Sequence, residues 1–495
     1  MGLLLLAGIQ LFGLLLYAGS LGGPPLWDDV AYVVRQPFLM ECSNLPAVFA
    51  PAHFTHVLPV SNAARPLWLA STLAARCAFG PSFTGLRLVA LLWHLAAASL
   101  VAGAAWELLR RRRAAFLAGL LFVAHPVLGE AVRFVSFSAE CMALSFVLLG
   151  FLLYRGAQRA RGWKSAALAA ATGAAYLCAM LSKESGVVLP LLLLLSDALV
   201  PVEGGWTRRG RAAACAALLL LFGGYLLFRA PRAGYAFGGR GDLLSELARG
   251  AAPLAPAAEG YAVPPPVETD PMPWQEVYAR PSVRLYTMSK VGADYLRLLL
   301  WPVRLQADYA PTPVRSWTGA LPAWSLGLLW LGVAWSLRRR RPALALGLFW
   351  VPAALLPVSG LVELRNLEAE RYLYGAAAGF CLALAAALEA AAERAGGRRA
   401  EAAALCAGLL LAGLYGTRTV LRGRVYRGEE EFFAAIVAAD PGAARARFNL
   451  ASFYARRGRL GEAETQLREG LRRWPENSAA NRQLARVLEE RGSTY

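Results

Sequence analysis

The residues best placed to do chemistry are ionisable groups at the ends of apolar runs. Asp28 and Asp29 stand side by side in LWDDVAYVVRQP, directly after the apolar stretch from Leu3 to Leu21. Arg65, His125, Glu130, Lys183, Glu184, Glu370 and Arg371 recur at the ends of later runs. Sequence neighbours do not face each other on a helix, so the two aspartates are not a simple paired site; only one can point into a pocket while the other caps or pins the loop, with Asp28 read as the base and Asp29 as the pin. Ionisable groups near bilayer depth are costly and mark functional sites by default. The cations suit a phosphate, which arginine can hold through two hydrogen bonds. The carboxylates suit general-base work on a hydroxyl. Together they fit a phosphate-linked lipid. Blander readings stand beside these: LSKES as a polar hairpin, Glu370 and Arg371 as a mutual ion pair or an interfacial anchor, and His125 as a helix-end histidine before Pro126. His53 and His56, spaced i, i+3 in the loop that holds Asp28, Asp29 and Glu41, give a weak metal signal without a third ligand at a telling spacing. No metal or other cofactor is expected to be required, although a divalent ion is kept as an alternative.

The elements that must position these groups are membrane helices. Hydrophobic residues make up 57% of the 495, and runs of about 20 apolar residues recur. The pattern predicts an all-α polytopic bundle of eleven spans: 3–21, 85–108, 114–128, 138–154, 165–182, 185–201, 212–229, 318–337, 342–359, 372–392 and 401–418. Residues 65–80 and 285–304 are apolar but carry charge, and read as interfacial or re-entrant helices. The net charge of +18 does not point to nucleic acid, because the arginines sit in short clusters between spans. The clusters at 110–113, 155–164, 208–211, 338–341 and 394–399 each fall between an even-numbered span and the next odd one. With the N-terminus in the cytoplasm, all five obey the positive-inside rule. The polar loops 22–64 and 231–284, the short turns and the C-terminus then share the other side. The first apolar run reads as a retained helix, not a cleaved leader, since it lacks a basic start and a clear cleavage site. Of seven cysteines, six lie in or beside apolar segments and only Cys42 sits in a polar loop. They read as small core residues without a disulfide framework.

After residue 418 the composition turns charged and amphipathic. Pro441 and Pro475 are 34 residues apart, and Leu450 with Leu484, Ala451 with Ala485 and Gly458 with Gly492 keep that offset. A 34-residue period of paired helices is the tetratricopeptide signature. Helices are predicted at 443–457, 461–473 and 477–491, with an amphipathic stretch at 427–439. The domain division is therefore 1–418 for the membrane unit and 419–495 for the repeats. The repeats either pack as a stub or offer a groove to an extended peptide.

Six stretches in order, WDDVAYVVRQP, ARPLWLAS, LFVAHPVLGEAVRFVS, LSKESGVVLPLLLLL, DYLRLLLWPVRLQADYAP and EAERYLYGAAAGF, followed by the repeats, resemble the transmembrane and tetratricopeptide-repeat group of O-mannosyltransferase-like membrane proteins. That group is similar to the polytopic glycosyltransferases of the GT-C fold, which use lipid-phosphate sugars. The resemblance implies that Asp28 or Asp29 is the catalytic base. It further implies that Lys183, Glu184, Glu370, Arg371 and the adjoining Tyr372, with Arg65, His125 and Glu130, serve the donor phosphate and sugar. The chain departs from the group's pattern at SFSAE (136–140), where a cation is lost, and at Gly375-Ala376.

The expected function is transfer of a sugar from a polyprenyl-phosphate carrier to an acceptor hydroxyl of a protein or glycan. The expected place is the periplasmic face of a bacterial inner membrane. Expected partners are the lipid-linked donor, the bilayer and a peptide or protein at the repeats. The competing readings are a non-catalytic scaffold that presents its repeats to partners, and a transporter of lipid-linked sugar. A transporter would want ionisable residues mid-span; here they cluster at span ends.

Overall fold

A computed structural model describes residues 2–34, 36–49, 65–233, 273–364 and 366–492. Among them every regular element is helical. In the first part of the chain α1 runs Leu3–Tyr17, α2 Pro66–Phe79, α3 Phe83–Leu109, α4 Arg112–Ala124, α5 Gly129–Arg133, α6 Ala139–Arg159, α7 Gly162–Ser182, α8 Leu189–Leu199 and α9 Arg208–Ala233. Then come α10 Pro273–Ala279, α11 Pro281–Leu300, α12 Trp317–Leu337, α13 Pro342–Leu355, α14 Tyr374–Ala395 and α15 Gly397–Gly423. Four soluble helices follow: α16 Glu429–Ala439, α17 Ala444–Arg456, α18 Leu460–Arg473 and α19 Ser478–Gly492. The last three lie within a residue or so of the predicted repeat helices.

This is a multi-pass membrane protein. Eight helices among the described residues are long and apolar enough to span a bilayer, or nine if α4 and α5 count as one span bent by 50°. The expected eleven are not confirmed. The segments predicted at 185–201 and 342–359 form helices that are too short or too broken to span on length alone. The bend has a plain cause. Pro126 cannot supply an N–H to the α4 ladder, so the helix stops at Ala124 and restarts as a tight turn.

The core lies where α3, α4, α6 and α14 pack together, with Val123, Leu148, Phe151, Trp350 and Tyr374 inside it. Without a hydrophobic drive between helices in lipid, small residues that admit close backbones do much of the joining. At Gly347 an added Cβ would meet backbone atoms of Gly379 and Ala383 at 2.7 Å, so α13 and α14 touch there because neither carries bulk. Outward, Leu219, Leu220, Leu227, Leu328, Leu329, Leu410 and Leu414 are exposed, as a lipid-facing belt would be.

The arginine clusters gather at one end of the bundle. Glu107 on α3 holds Arg155 at 2.8 Å and also Arg159. Glu389 on α14 holds Arg113 at 2.8 Å, Arg113 reaches Glu401 at 3.0 Å, and Arg341 pairs with Glu393. The opposite end carries the WDD segment and the repeats. One cysteine expectation is corrected there: Cys42 and Cys77 form a disulfide, tying the first loop to α2, with Cα atoms 5.7 Å apart. Their spacing of 35 residues matched no framework, and only the fold of α2 against the loop brings them together. Cys141 and Cys381 are buried as expected, whereas Cys178 and Cys215 are half-buried and Cys406 is exposed, so these three are not core residues.

Candidate active site

The chain enters the site through a clasp. Arg87 on α3 is buried and donates to the carbonyls of Leu21 (3.5 Å), Gly23, Pro24 (2.5 Å) and Arg133 (3.3 Å). One guanidinium thus satisfies the carbonyls that the chain exposes as it leaves α1. The chain then turns at Trp27, whose φ of +42° is rare for a bulky residue.

The two aspartates part company at this turn. Asp29 is fully buried and accepts the backbone N–H groups of Val135 (3.2 Å) and Ser136 (2.8 Å) at the start of the turn before α6. Burial pushes its carboxyl up to about 6, against the lowering effect of those bonds and of Arg87. Asp28 is half-buried and has no hydrogen-bond partner among the described residues. Burial raises its carboxyl above the ordinary range; Arg371 and Arg445 oppose this, while Glu130 and Asp308 add to it. An unengaged carboxylate of raised affinity for protons is what a base acting on a hydroxyl requires.

Next to Asp28 lies a nest of ion pairs. The break at Pro126 lets α5 start inside the bundle, so Glu130 in its first turn is buried. Its carboxylate takes both the backbone N–H (2.7 Å) and the guanidinium (2.6 Å) of Arg371. Arg371 stacks over Phe137 at 4.2 Å and lies 5.1 Å from the centre of Tyr372. Lys183 lies 5.8 Å from the same ring, so the two cations share one aromatic neighbour. Lys183 is held where α7 ends: its backbone is extended, and Gly186 packs so tightly on Ala179 that a Cβ would meet that backbone at 2.5 Å. The Lys183 ammonium pairs with Glu140, whose other oxygen accepts Ser185 at 3.1 Å. Burial pushes that ammonium down; Glu140 resists, and the charges of Arg65 and Arg371 add to the fall. Arg65 and Glu184 close the group at 2.9 Å and are its most exposed pair. Glu370 lies deeper, accepting Tyr309 at 3.0 Å and Arg422 at 3.5 Å, and its second oxygen is buried without a partner.

Of the residues singled out by sequence, Asp28, Arg65, Glu130, Lys183, Glu184, Glu370, Arg371 and Tyr372 come together, with Asp29 anchored behind them. His125 does not join. Nδ1 accepts the Val127 N–H at 3.4 Å and Nε2 faces the Leu299 carbonyl at 3.1 Å, so both ring nitrogens are taken by backbone. His125 also packs against Tyr415 at 4.5 Å, which makes it a brace for the helix break. His53 and His56 lie outside the described residues. Glu140, Asp308, Tyr309, Arg422 and Arg445 were missed. Glu140 sits in SFSAE, where the sequence shows the loss of a cation but not the partner that the carboxylate finds in Lys183. A cleft of about 540 Å³ lies far from all of these, lined by Ala169, Gly205, Trp206, Thr207, Gly210 and Ala214. It holds no ionisable group and offers no acid or base.

The tetratricopeptide repeat family model matches residues 444–487. The chain is similar to Protein O-mannosyl-transferase Tmtc1 of Drosophila melanogaster, at 26% identity over 94% of this chain and 60% of that one. It is also similar to Protein O-mannosyl-transferase TMTC1 of Homo sapiens, at 24% identity over 77% of this chain and 44% of that one. The chain thus spans about half the length of these relatives. The resemblance to the transmembrane and tetratricopeptide-repeat group is borne out. Among solved structures it is similar to the Archaeoglobus fulgidus oligosaccharyltransferase (14% identity, 86% of this chain and 55% of that chain, TM-score 0.46). Another is ArnT from Cupriavidus metallidurans bound to undecaprenyl phosphate (16% identity, 97% and 77%, TM-score 0.44).

Proposed function

We propose that this protein is a membrane glycosyltransferase that moves a sugar from a polyprenyl-phosphate carrier to an acceptor hydroxyl. One observation carries the reading: an unengaged carboxylate, Asp28, stands beside a buried nest of cations, Arg371 and Lys183, that flank one tyrosine ring. In the reaction the acceptor oxygen attacks the anomeric carbon and the bond from that carbon to the phosphate oxygen breaks. Asp28 takes the acceptor proton, and Lys183, Arg371 and Arg65 take the charge that grows on the leaving phosphate. The step needs no redox cofactor, because it is a displacement with no change of oxidation state; a divalent ion at the leaving phosphate stays the alternative. The paired carboxylates keep the cations ordered before the donor arrives, and the more exposed Arg65–Glu184 pair is the one placed to open for it.

The site end is assigned to the periplasmic side of a bacterial inner membrane, with the N-terminus in the cytoplasm. The basic clusters at the other end support this, and the disulfide suits an oxidising compartment. Residues 1–418 form the catalytic unit and 419–495 the repeats. The scaffold reading draws on one feature: each of Arg65, Lys183 and Arg371 already has a carboxylate. A direct assay separates the two. Purified protein in lipid is given a panel of radiolabelled polyprenyl-phosphate sugars and scored for hydrolysis or transfer. Turnover of any donor supports the transferase; binding without turnover across the whole panel favours the scaffold.

A further inference from the structure

The repeat helices sit directly on the WDD segment. Phe432 and Phe433 of α16 pack on Trp27 at 5.6 and 6.2 Å between ring centres, and Phe432 also meets Phe134 at 5.7 Å. These rings form one buried cluster with Leu26, Tyr426 and the inner faces of α17 and α18. From α17, Arg445 reaches back over the Trp27 ring at 5.0 Å. Its guanidinium also holds both oxygens of Asp308, at 2.7 and 2.8 Å. The next residue in the chain, Tyr309, donates to Glu370 in the pocket. One short segment between α11 and α12 therefore grips the repeat with Asp308 and the pocket with Tyr309. Arg445 meets the residue just before Asp28.

We infer that the repeat unit is a wall of the active site and that Arg445 is a positioning residue for Asp28. The inference rests on the proposed transferase reading for its chemistry, but its geometry stands alone. Trp27 is fixed between the α16 phenylalanines and the Arg445 guanidinium, which sets its unusual backbone turn and so the direction of the Asp28 side chain. A cation over the ring holds it by the attraction of charge to the π face. The charged groups that face Asp28 are Arg371 beside α14, Arg445 on α17, Glu130 on α5 and Asp308. A partner bound to the repeats would thereby touch an element that aims the base.

The test uses the full-length protein in lipid, with Arg445→Gln, Asp308→Asn and the charge swap that combines Arg445→Asp with Asp308→Arg. Misplacing a reacting group by about 1 Å costs up to ~100-fold in rate, so Arg445→Gln is expected to lower transfer by ~10- to 100-fold with donor KM little changed. Asp28 acts when deprotonated. Removing the Arg445 cation moves the acid limb of the pH profile to higher pH, and removing the Asp308 anion moves it to lower pH. A residue that only stabilised the fold would not shift the limb in opposite directions. Amide exchange across residues 26–34 is read in parallel and is expected to rise in Arg445→Gln and also in the swap, which takes the cation off the Trp27 ring. An unmoved acid limb together with unchanged exchange at 26–34 in Arg445→Gln overturns the inference. If the natural protein turns over no donor, the transferase reading fails and the exchange result alone decides the positioning role.

Discussion

At the scale of residues, the adjacent aspartates divide their work by burial. Asp28 faces the cations with no hydrogen-bond partner among the described residues, whereas Asp29 spends both oxygens on backbone N–H groups. Loss of a general base costs ~10² to 10⁴ in rate, so Asp28→Asn is expected to abolish most transfer while polyprenyl-phosphate binding, read by titration, persists. Because Asp28 has a raised proton affinity, activity should fall on acidification at a pH above the ordinary carboxylate range. Asp29→Ala orphans two buried donors at about 1–3 kcal/mol each, which a lowered melting temperature would register. The sign of the Asp29 contribution to stability is fixed by its raised value. In the folded state it binds its proton more tightly, so that stability is present below the unfolded pKa near 3.8 and is lost as pH rises through about 6. Sequence alone singled out the pair and read Asp28 as the base and Asp29 as the residue that pins the loop, but not what Asp29 pins. Which oxygen finds a backbone donor depends on the turn at residues 134–136, more than 100 positions away.

At the scale of elements, three breaks build the site: the turn after α1, the stop at Pro126 and the hairpin at Lys183. Each was legible, because proline, glycine and charge interrupt apolar runs in ways that helices cannot absorb. The ion-pair partners were not legible. Glu130 meets Arg371 across 241 positions and Lys183 meets Glu140 across 43, and no local pattern encodes such distances. Removing one partner of a buried pair costs about 3–5 kcal/mol, because the other charge is left uncompensated. Glu130→Gln should therefore lower thermal stability strongly, and the double change Glu130→Gln with Arg371→Gln should cost less than the sum of the two single changes. Additive losses in a thermal unfolding cycle would show that Glu130 and Arg371 do not act as a pair. The disulfide was missed for a similar reason. Cys42 and Cys77 look unrelated until α2 folds back along the first loop.

At the scale of the whole molecule, the bundle keeps its two ends chemically distinct. One end knots its arginines to Glu107, Glu389 and Glu393; the other holds the aspartates, the cation nest and the repeats. The period of apolar runs and the 34-residue repeat made this architecture readable, while the exact number of spans was not, since α8 and α13 are too short to be judged by length. Alkaline phosphatase fused after residue 425 is expected to be active, and non-reducing peptide mapping of membranes should recover Cys42 joined to Cys77. An inactive fusion, with a cytoplasmic reporter active at the same point, would reverse the topology. The central claim is that the lipid phosphate of the donor binds at the end where Asp28, Lys183 and Arg371 meet. Photo-crosslinking with a polyprenyl-phosphate analogue that carries its reactive group beside the phosphate tests this most directly. The expected labels fall on residues around Tyr372, Phe137 and the Lys183 hairpin, and competition with unmodified polyprenyl phosphate removes them. Specific labelling confined to the opposite end, around Glu107, Arg155 and Arg159, would contradict it.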